Sequence, residues 1–224
     1  MFMLDLLPWL PLLLQGLLRT ILLFAITAVL GSALGLFIGL GRLARQRTWR
    51  RISGLYVEIF RGVPLYINLF WLYFVFPSFG LSLSLWQAAI FGCTLTHAAY
   101  FAEYVRAAVL AVPSGQHDAA RSLGLSRWQR FRHVILPQAV VALLPVIGSE
   151  LVMLLKGTAI ASLIGFSELT GEAHSVIVST YQSVPVLLVV LCVYYVAAKA
   201  VVVSIALLER HNDPWTLRRE RLLA

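Results

Sequence analysis

Charge is scarce in this chain of 224 residues: Asp, Glu, Lys and Arg together make up 12% of it, against about 25% in ordinary soluble domains. Hydrophobic residues make up 60% and gather in long uninterrupted runs. The net charge of +8 would suggest nucleic acid in a soluble protein, but here the positions of the charges matter more than their sum. The composition predicts an integral membrane protein with no nucleic-acid partner.

Cysteines and catalytic signatures are also few. Cys93 and Cys192 both lie within apolar runs at no metal-binding or redox spacing, which indicates packing residues. The sequence contains no G-x-x-x-x-G-K-[ST], H-E-x-x-H or G-x-S-x-G pattern and no cluster of Cys and His. These absences argue against P-loop nucleotide binding, against a metal site and against catalysis by this chain.

Apolar runs of bilayer length are what the chain does have. A helix needs about 20 mostly apolar residues to cross the hydrocarbon core. Five stretches meet this length: residues 17–41, 54–76, 85–111, 138–160 and 184–208. Because a backbone in lipid must satisfy its own hydrogen bonds, we predict an all-α, polytopic membrane protein with one transmembrane domain over residues 1–224. The N-terminal segment carries Asp5 instead of a basic signal-peptide region, so we expect mature sequence leading into the first span.

The arginines predict the orientation. Fourteen of the 18 Lys and Arg residues lie in two loops and the C-terminal tail. They are Arg42, Arg45, Arg47, Arg50 and Arg51, then Arg106, Arg121, Arg127, Arg130 and Arg132, then Arg210, Arg218, Arg219 and Arg221. The intervening loops, residues 77–85 and 166–183, hold none. Since basic loops stay in the cytoplasm, we predict an external N-terminus and a cytoplasmic C-terminus.

The second basic loop, about residues 113–137, is punctuated like two short helices. Pro113 and Ser114 offer a break and an N-cap, and Gly124 supplies the left-handed residue that ends the first helix. Ser126 then caps the second helix. One interpretation is an amphipathic connector that is merely solvated by its arginines.

In the second helix Gln129 is the capping-box partner of Ser126, and Pro137 begins the next span. Two further features of this loop favour a docking role. Ala119 and Ala120 beside Asp118 give the first helix a small face suited to a groove on another protein. A connector without a partner would gain nothing from four further apolar residues: Leu123, Leu125, Trp128 and Phe131.

The stretch D-A-A-x-x-x-G, followed after nine residues by V-I-L-P, resembles the EAA loop of importer permeases driven by ATP-binding cassettes. Asp118 stands where that family usually has Glu, and Val134 stands at its Ile position. The sequences around this loop resemble the polar-amino-acid branch of the family: G-Q at 115–116, I-L-P-Q-A at 135–139, YVEIFRGVPL at 56–65, AAYFAEYVR at 98–106 and, more weakly, KGTAI at 156–160.

This resemblance implies a MetI-like permease fold in the inner membrane and the import of a polar amino acid. Histidine, arginine, glutamine and glutamate remain open as substrates. The implied partners are a dimer of cassette ATPases, which would carry the ATP and magnesium, a solute-binding protein, and a second permease that is either another copy or a homologue. No cofactor is implied on this chain. The residues that would couple it to the ATPase are Gly115, Asp118, Ala119, Ala120, Gly124 and Arg127.

Polar residues inside apolar spans are costly and are therefore candidates for the substrate path. The set is Asn68, His97, Tyr100, Glu103, Glu150, Lys156 and Thr158. Glu150 and Lys156 could meet the amino group and the carboxylate of a zwitterion, or each could pair with a neighbouring helix. Glu103 has Arg106 three residues on, so a structural ion pair is the alternative there. Glu58 and Arg61 have the same spacing and the same alternative.

Two further expectations concern packing and rival functions. Gly31, Gly35 and Gly39, spaced four apart, predict a close helix contact along the first span. A secondary transporter would use the same buried charges but usually shows inverted repeats or more spans, and the sequence has no internal repeat. A purely structural membrane subunit would not need the buried ionisable residues.

Overall fold

A computed structural model describes residues 7–212 of the chain, with side chains to residue 208. Five residues used above lie beyond the described side chains: Asp5, Arg210, Arg218, Arg219 and Arg221. The described residues form helices and turns and no β-strand. In chain order the α-helices are α1 (Leu10–Arg42), α2 (Arg47–Gly62), α3 (Leu65–Phe70), α4 (Leu85–Leu110), α5 (Ser114–Ser122), α6 (Arg127–Arg130), α7 (Leu136–Gly157), α8 (Leu169–Thr180) and α9 (Ser183–Asn212).

The long helices confirm the all-α prediction. Within the described residues, three helical segments are long and apolar enough to cross a membrane: Leu7–Arg42, Arg127–Ile164 and Ser183–Leu208. The pair Arg47–Gly62 and Leu65–Phe79 adds a fourth if it counts as one broken span, since the two parts meet at 100°. The break between these two parts lies at Pro64: a residue before proline is held in extended geometry, and Val63 adopts φ −98° and ψ 128°.

The most extensive helix contact in the bundle joins α1 to α4. The predicted glycine face makes it: a Cβ on Gly31 would lie 2.6 Å from the His97 ring. A Cβ on Gly35 would lie 2.7 Å from the carbonyl oxygen of Ala98, and one on Gly39 2.8 Å from that of Ala102. The glycines therefore let two backbones approach more closely than any side chain would allow.

We expect Gly35→Ala to lower the stability of the bundle by about 1–3 kcal/mol, the usual cost of overpacking a filled core. The added methyl meets backbone and the Phe101 Cβ at 2.8 Å, and neither is the free end of a flexible side chain. Thermal unfolding in detergent, followed by tryptophan fluorescence, should show a midpoint lower by roughly 2–10 °C.

Gly54→Ala in α2 is the matched control, because a Cβ there meets nothing within 4 Å. That change should leave the midpoint unchanged or raise it slightly, since alanine favours a helix interior by about 1 kcal/mol over glycine. Equal midpoints for Gly35→Ala and the unsubstituted protein would contradict the close-packing assignment.

The loop between α4 and α7 differs in two ways from its prediction. Ser114 is the first residue of α5 and Pro113 its N-cap, with no side-chain cap hydrogen bond. The second short helix does not end before the next span: α6 continues through a π-helical turn at Phe131–Ile135 directly into α7. Pro137 therefore lies inside a continuous helix, where it is tolerated because it follows the wide turn and occupies the first turn of α7.

The turn between the two helices is confirmed in detail. Gly124 has φ +73°, the left-handed conformation that glycine adopts without strain. Ser126 and Gln129 form the predicted capping box: the Gln129 N–H donates to Ser126 Oγ at 3.3 Å and the Ser126 N–H donates to Gln129 Oε1 at 2.9 Å. The entry into the long helix is thus held in one direction relative to α5.

A polar cluster fastens the segment before α8 to α1 and α9. The buried Glu168 carboxylate accepts hydrogen bonds from the hydroxyls of Tyr194 at 2.8 Å and Thr20 at 3.2 Å, and from the Gly171 N–H at 2.9 Å. Arg19 pairs with Glu172 at 2.8 Å. Burial raises the pKa of the Glu168 carboxyl, and these hydrogen bonds oppose the rise. The cluster holds this end of the bundle together.

Candidate functional site

A cavity of about 370 Å³ lies at the break between α2 and α3, against α4 and α7. The break creates it, because the chain turns by 100° there and leaves space beside α4. Its lining includes both charged and apolar groups: Arg61, Gly62, Val63, Pro64, Leu65, Cys93, Thr96, His97, Tyr100, Glu150, Met153, Leu154, Gly157 and Ile160. A volume of this size suits a small solute with both polar and apolar parts.

A buried polar chain crosses three helices at one wall of the cavity. His97 Nδ1 lies 3.1 Å from Glu150 Oε1, and His97 Nε2 lies 3.2 Å from the Ser32 hydroxyl. His97 reaches α1 because Gly31 leaves room for its ring. The imidazole therefore ties α4 to α7 and α1, and it fixes one oxygen of the Glu150 carboxylate.

The second oxygen of Glu150 is not committed in this way. Glu150 is 5% exposed, and its Oε2 has no hydrogen-bond partner among the residues that the structure describes. The Tyr104 hydroxyl lies close enough to interact with the same carboxylate. A buried carboxylate oxygen without a partner is costly, so this atom is a strong acceptor for a cation or N–H donor in the cavity.

A positive charge lines the same cavity. The Arg61 guanidinium lies over the Tyr100 ring, 5.3 Å from its centroid, in a cation–π contact. Arg61 forms no salt bridge with Glu58 within the described part of the chain, so the predicted ion pair of these two residues is wrong. The contact with the Tyr100 ring uses the charge of the guanidinium and not its N–H groups. Arg61 therefore keeps its hydrogen-bond donors available for another partner.

Three of the predicted substrate residues lie together in the lining: His97, Tyr100 and Glu150. Asn68 lies one layer behind it, where its amide donates to the Thr96 hydroxyl at 3.1 Å. Thr96 itself lines the cavity. Thr96, His97 and Tyr100 therefore form a polar strip on α4, and Asn68 braces it from α3.

The other three predicted residues lie elsewhere. Glu103 binds two arginines: Arg106 Nε donates to its two oxygens at 3.1 and 3.2 Å, and Arg42 pairs with the same carboxylate. Lys156 is exposed and outside the cavity lining, because six residues along a helix place it about 240° around from Glu150. Thr158 is buried and donates to the Leu155 carbonyl oxygen at 2.7 Å.

The cavity lining thus holds Glu150 and Arg61, whereas Lys156, which the sequence suggested as the cation for the substrate carboxylate, lies outside it. Sequence reasoning missed Arg61 because its spacing from Glu58 indicated an ion pair on one helix face. The signal that could have found it is its place three residues before Pro64, at the end of a helix that the proline interrupts.

A second candidate surface is formed by α5 and the turn after it. Asp118 and Ala119 are exposed, as are three other predicted coupling residues: Gly115, Gly124 and Arg127. Ala120 is buried instead, because consecutive residues of a helix point about 100° apart. Leu123 is 78% exposed and Trp128 66% exposed beside these residues. An apolar pair so exposed next to a charged helix is typical of a protein contact.

Known proteins share this architecture. Residues 31–213 match the family described as "Binding-protein-dependent transport system inner membrane component". The probable amino-acid ABC transporter permease protein YckA of Bacillus subtilis (strain 168) is 40% identical over 163 residues, which are 73% of this chain and 72% of YckA. A crystal structure of an amino acid ABC transporter with histidines matches with a TM-score of 0.88 and 33% identity, covering 93% of this chain and 97% of that one. The MetNI methionine ABC transporter in an inward-facing conformation matches with a TM-score of 0.76 and 26% identity, covering 92% and 98%.

Proposed function

Because the chain belongs to the family of binding-protein-dependent transport system inner membrane components, we propose that it forms the path by which a polar amino acid enters the cell. The observation that carries this substrate class is the cavity lined by both Glu150 and Arg61. An amino acid is a zwitterion, and its recognition requires an anion and a cation facing one small volume. The similar transporters named above handle amino acids, which supports the same class here.

Within this cavity we assign the two charges opposite roles. The free Glu150 Oε2 accepts hydrogen bonds from the substrate ammonium group, and Arg61 donates to the carboxylate. His97 and Tyr100 position the two charged groups: His97 orients the Glu150 carboxylate, and the Tyr100 ring holds the Arg61 guanidinium. Met153 and Ile160 supply apolar surface for the substrate side chain. In this arrangement the substrate does not contact Glu103, Lys156 or Thr158.

We propose five membrane crossings: α1, the bent pair α2–α3, α4, the continuous α6–α7, and α9. The apolarity of α4 is lower than that of the other spans because it lies at the centre of the bundle and packs on α1, α2, α3 and α7. Its buried surface is rich in alanine, as small residues at helix interfaces require. The arginine-rich loops then face the cytoplasm, with the N-terminus outside.

Energy enters at the cytoplasmic surface of α5. We propose that the exposed Asp118, Ala119 and Leu123 dock in a groove on a separate ATPase, where ATP and magnesium are bound. A movement of α5 passes to the cavity through the unbroken helix from Arg127 to Gly157, since Glu150 lies on the same rod. ATP binding can shift the bundle between inward-open and outward-open states only by favouring one of them.

Two further partners complete the transporter in this proposal. Five spans leave little room to enclose a polar path, so a second permease, a copy or a homologue, forms its other wall. A solute-binding protein delivers the amino acid at the outer surface, as the family description implies.

Uptake by the reconstituted complex tests the proposal. The chain is purified with the ATPase and solute-binding protein of its system and placed in proteoliposomes that contain ATP and magnesium. We expect accumulation of a labelled polar amino acid that stops when a non-hydrolysable ATP analogue replaces ATP, at a clamped membrane potential. Uptake driven by an ion gradient without ATP would identify a secondary transporter and overturn the proposal.

A further inference from the structure

A second pocket, of about 510 Å³, lies where the end of α1, the middle of α2 and the end of α4 meet. Arginines dominate its lining, which consists of Arg42, Arg50, Arg51, Gly54, Leu55, Glu58 and Arg106. It is separate from the cavity at the break between α2 and α3, because the two linings share no residue. The proposed transport mechanism gives this pocket no role.

The charges of the pocket do not balance. Arg42 and Arg106 share the single carboxylate of Glu103. Among the described side chains, no carboxylate lies within salt-bridge distance of Arg50 or Arg51. Four guanidinium groups therefore face two carboxylates, those of Glu103 and Glu58, and an excess of two positive charges remains.

An apolar stripe runs along α2 beside these arginines. Its members recur every three or four residues and are 48–59% exposed: Trp49, Ile52, Leu55 and Ile59. Leu55 belongs to both the stripe and the pocket lining. Trp49 also packs edge-on against Phe37 of α1, with ring centroids 6.1 Å apart, so the stripe continues onto the exposed face of α1. Arginines and a tryptophan beside an exposed apolar face are typical of the end of a span at the membrane–water interface, where lipid headgroups lie.

We propose that this pocket binds the headgroup of an anionic phospholipid, and that the acyl chains lie along the α2 stripe. Guanidinium groups bind phosphate oxygens in bidentate geometry, and basic pockets between spans on the cytoplasmic side suit acidic headgroups. Free phosphate would use the arginines but leave the adjoining stripe uncovered, whereas a lipid satisfies both. The inference rests on the proposed topology, which puts this end of the bundle at the inner leaflet.

Lipid titration of the purified complex tests the inference. Phosphatidylglycerol is added to the transporter with its ATPase in neutral detergent, and native mass spectrometry counts the bound lipids. We expect Arg50→Gln with Arg51→Gln to weaken phosphatidylglycerol binding on the order of 30-fold, since each arginine that donates directly to the phosphate contributes about fivefold. Phosphatidylcholine should bind weakly to both forms.

The matched control is Arg45→Gln with Arg47→Gln, which removes the same charge from exposed arginines outside the lining. This double variant should stay within about threefold of the unsubstituted protein, because exposed charges that do not contact the headgroup are screened by salt. Equal losses in both double variants would overturn the inference in favour of diffuse attraction, and displacement by millimolar inorganic phosphate would overturn it in favour of a phosphate site. A disulfide between two copies carrying Leu55→Cys would assign the stripe to the second permease and overturn it too. ATP-driven uptake in phosphatidylcholine vesicles reports on the proposed function independently.

Discussion

Replacing Glu150 by Gln is expected to weaken substrate recognition about a hundredfold, seen as a higher KM for uptake. Gln keeps the size of the side chain, and its Oε1 can still accept from His97, so the change removes the charge and little else. Loss of one partner in a buried, hydrogen-bonded charge pair typically costs 2–5 kcal/mol. The measurement is the initial rate of ATP-driven uptake against substrate concentration in proteoliposomes.

A control for charge removal as such is Glu58→Gln, because Glu58 lies on α2 outside the cavity lining. Its KM should remain within about twofold, the range usual for a surface charge. Thermal unfolding of Glu150→Gln separates binding from stability: the midpoint should stay close to that of the unsubstituted protein. An unchanged KM in a folded Glu150→Gln protein would remove Glu150 from the substrate site.

Much of the fold could be predicted because local chemistry determines it. The D-A-A-x-x-x-G and V-I-L-P pattern predicted the family, and the match over residues 31–213 confirms it. Gly124 and the Ser126 capping box could be predicted because each depends on a backbone conformation that only a few residues favour. The face formed by Gly31, Gly35 and Gly39 follows from helical periodicity in the same way.

The candidate cavity could be predicted only in part, because its residues come from helices far apart in sequence. His97, Tyr100 and Glu150 were found because polar side chains in apolar spans are costly wherever they lie. Which of them meet depends on helix rotation, and residue spacing alone pointed to Lys156, not Arg61, as the cation beside Glu150. The bend at Pro64 turns Arg61 toward Tyr100, and that direction is a property of the packed bundle.

The continuous helix from α6 into α7 was also missed, for a different reason. Proline at position 137 signals a helix start when only its neighbours are considered. The π turn at Phe131–Ile135 widens the backbone just before it, which lets the helix pass the proline without a break. The consequence bears on the proposed coupling, because a continuous helix runs from Arg127, just after the exposed turn at Gly124, to the wall of the cavity at Glu150.

Replacing Gly124 by Val is therefore expected to uncouple the transporter, with uptake falling below about a tenth of its original rate. Gly124 has φ +73°, and a β-branched residue in the left-handed region is strained by about 1–3 kcal/mol. The turn is held by the N–H groups of Gly124 and Leu125, which donate to the carbonyl oxygens of Arg121 at 3.0 Å and Ala120 at 3.2 Å. A relaxed turn would tilt α5 away from the direction that the ATPase groove requires. Uptake and co-purification of the ATPase are measured together.

Gly124→Asn is the matched variant, because asparagine tolerates the left-handed conformation better than any β-branched residue does. It should keep most of the uptake and most of the bound ATPase, while Gly124→Val remains in the membrane at normal abundance and loses both. Similar uptake by the two variants would show that this turn does not transmit the movement of α5.

The orientation of the loop is read from Arg127→Cys in a Cys192→Ser background. An impermeant maleimide should label this cysteine in inverted vesicles and spare it in intact cells. Labelling in intact cells would place α5 outside, where no ATPase could reach it, and the mechanical link from Gly124 to Glu150 would lose its source of energy.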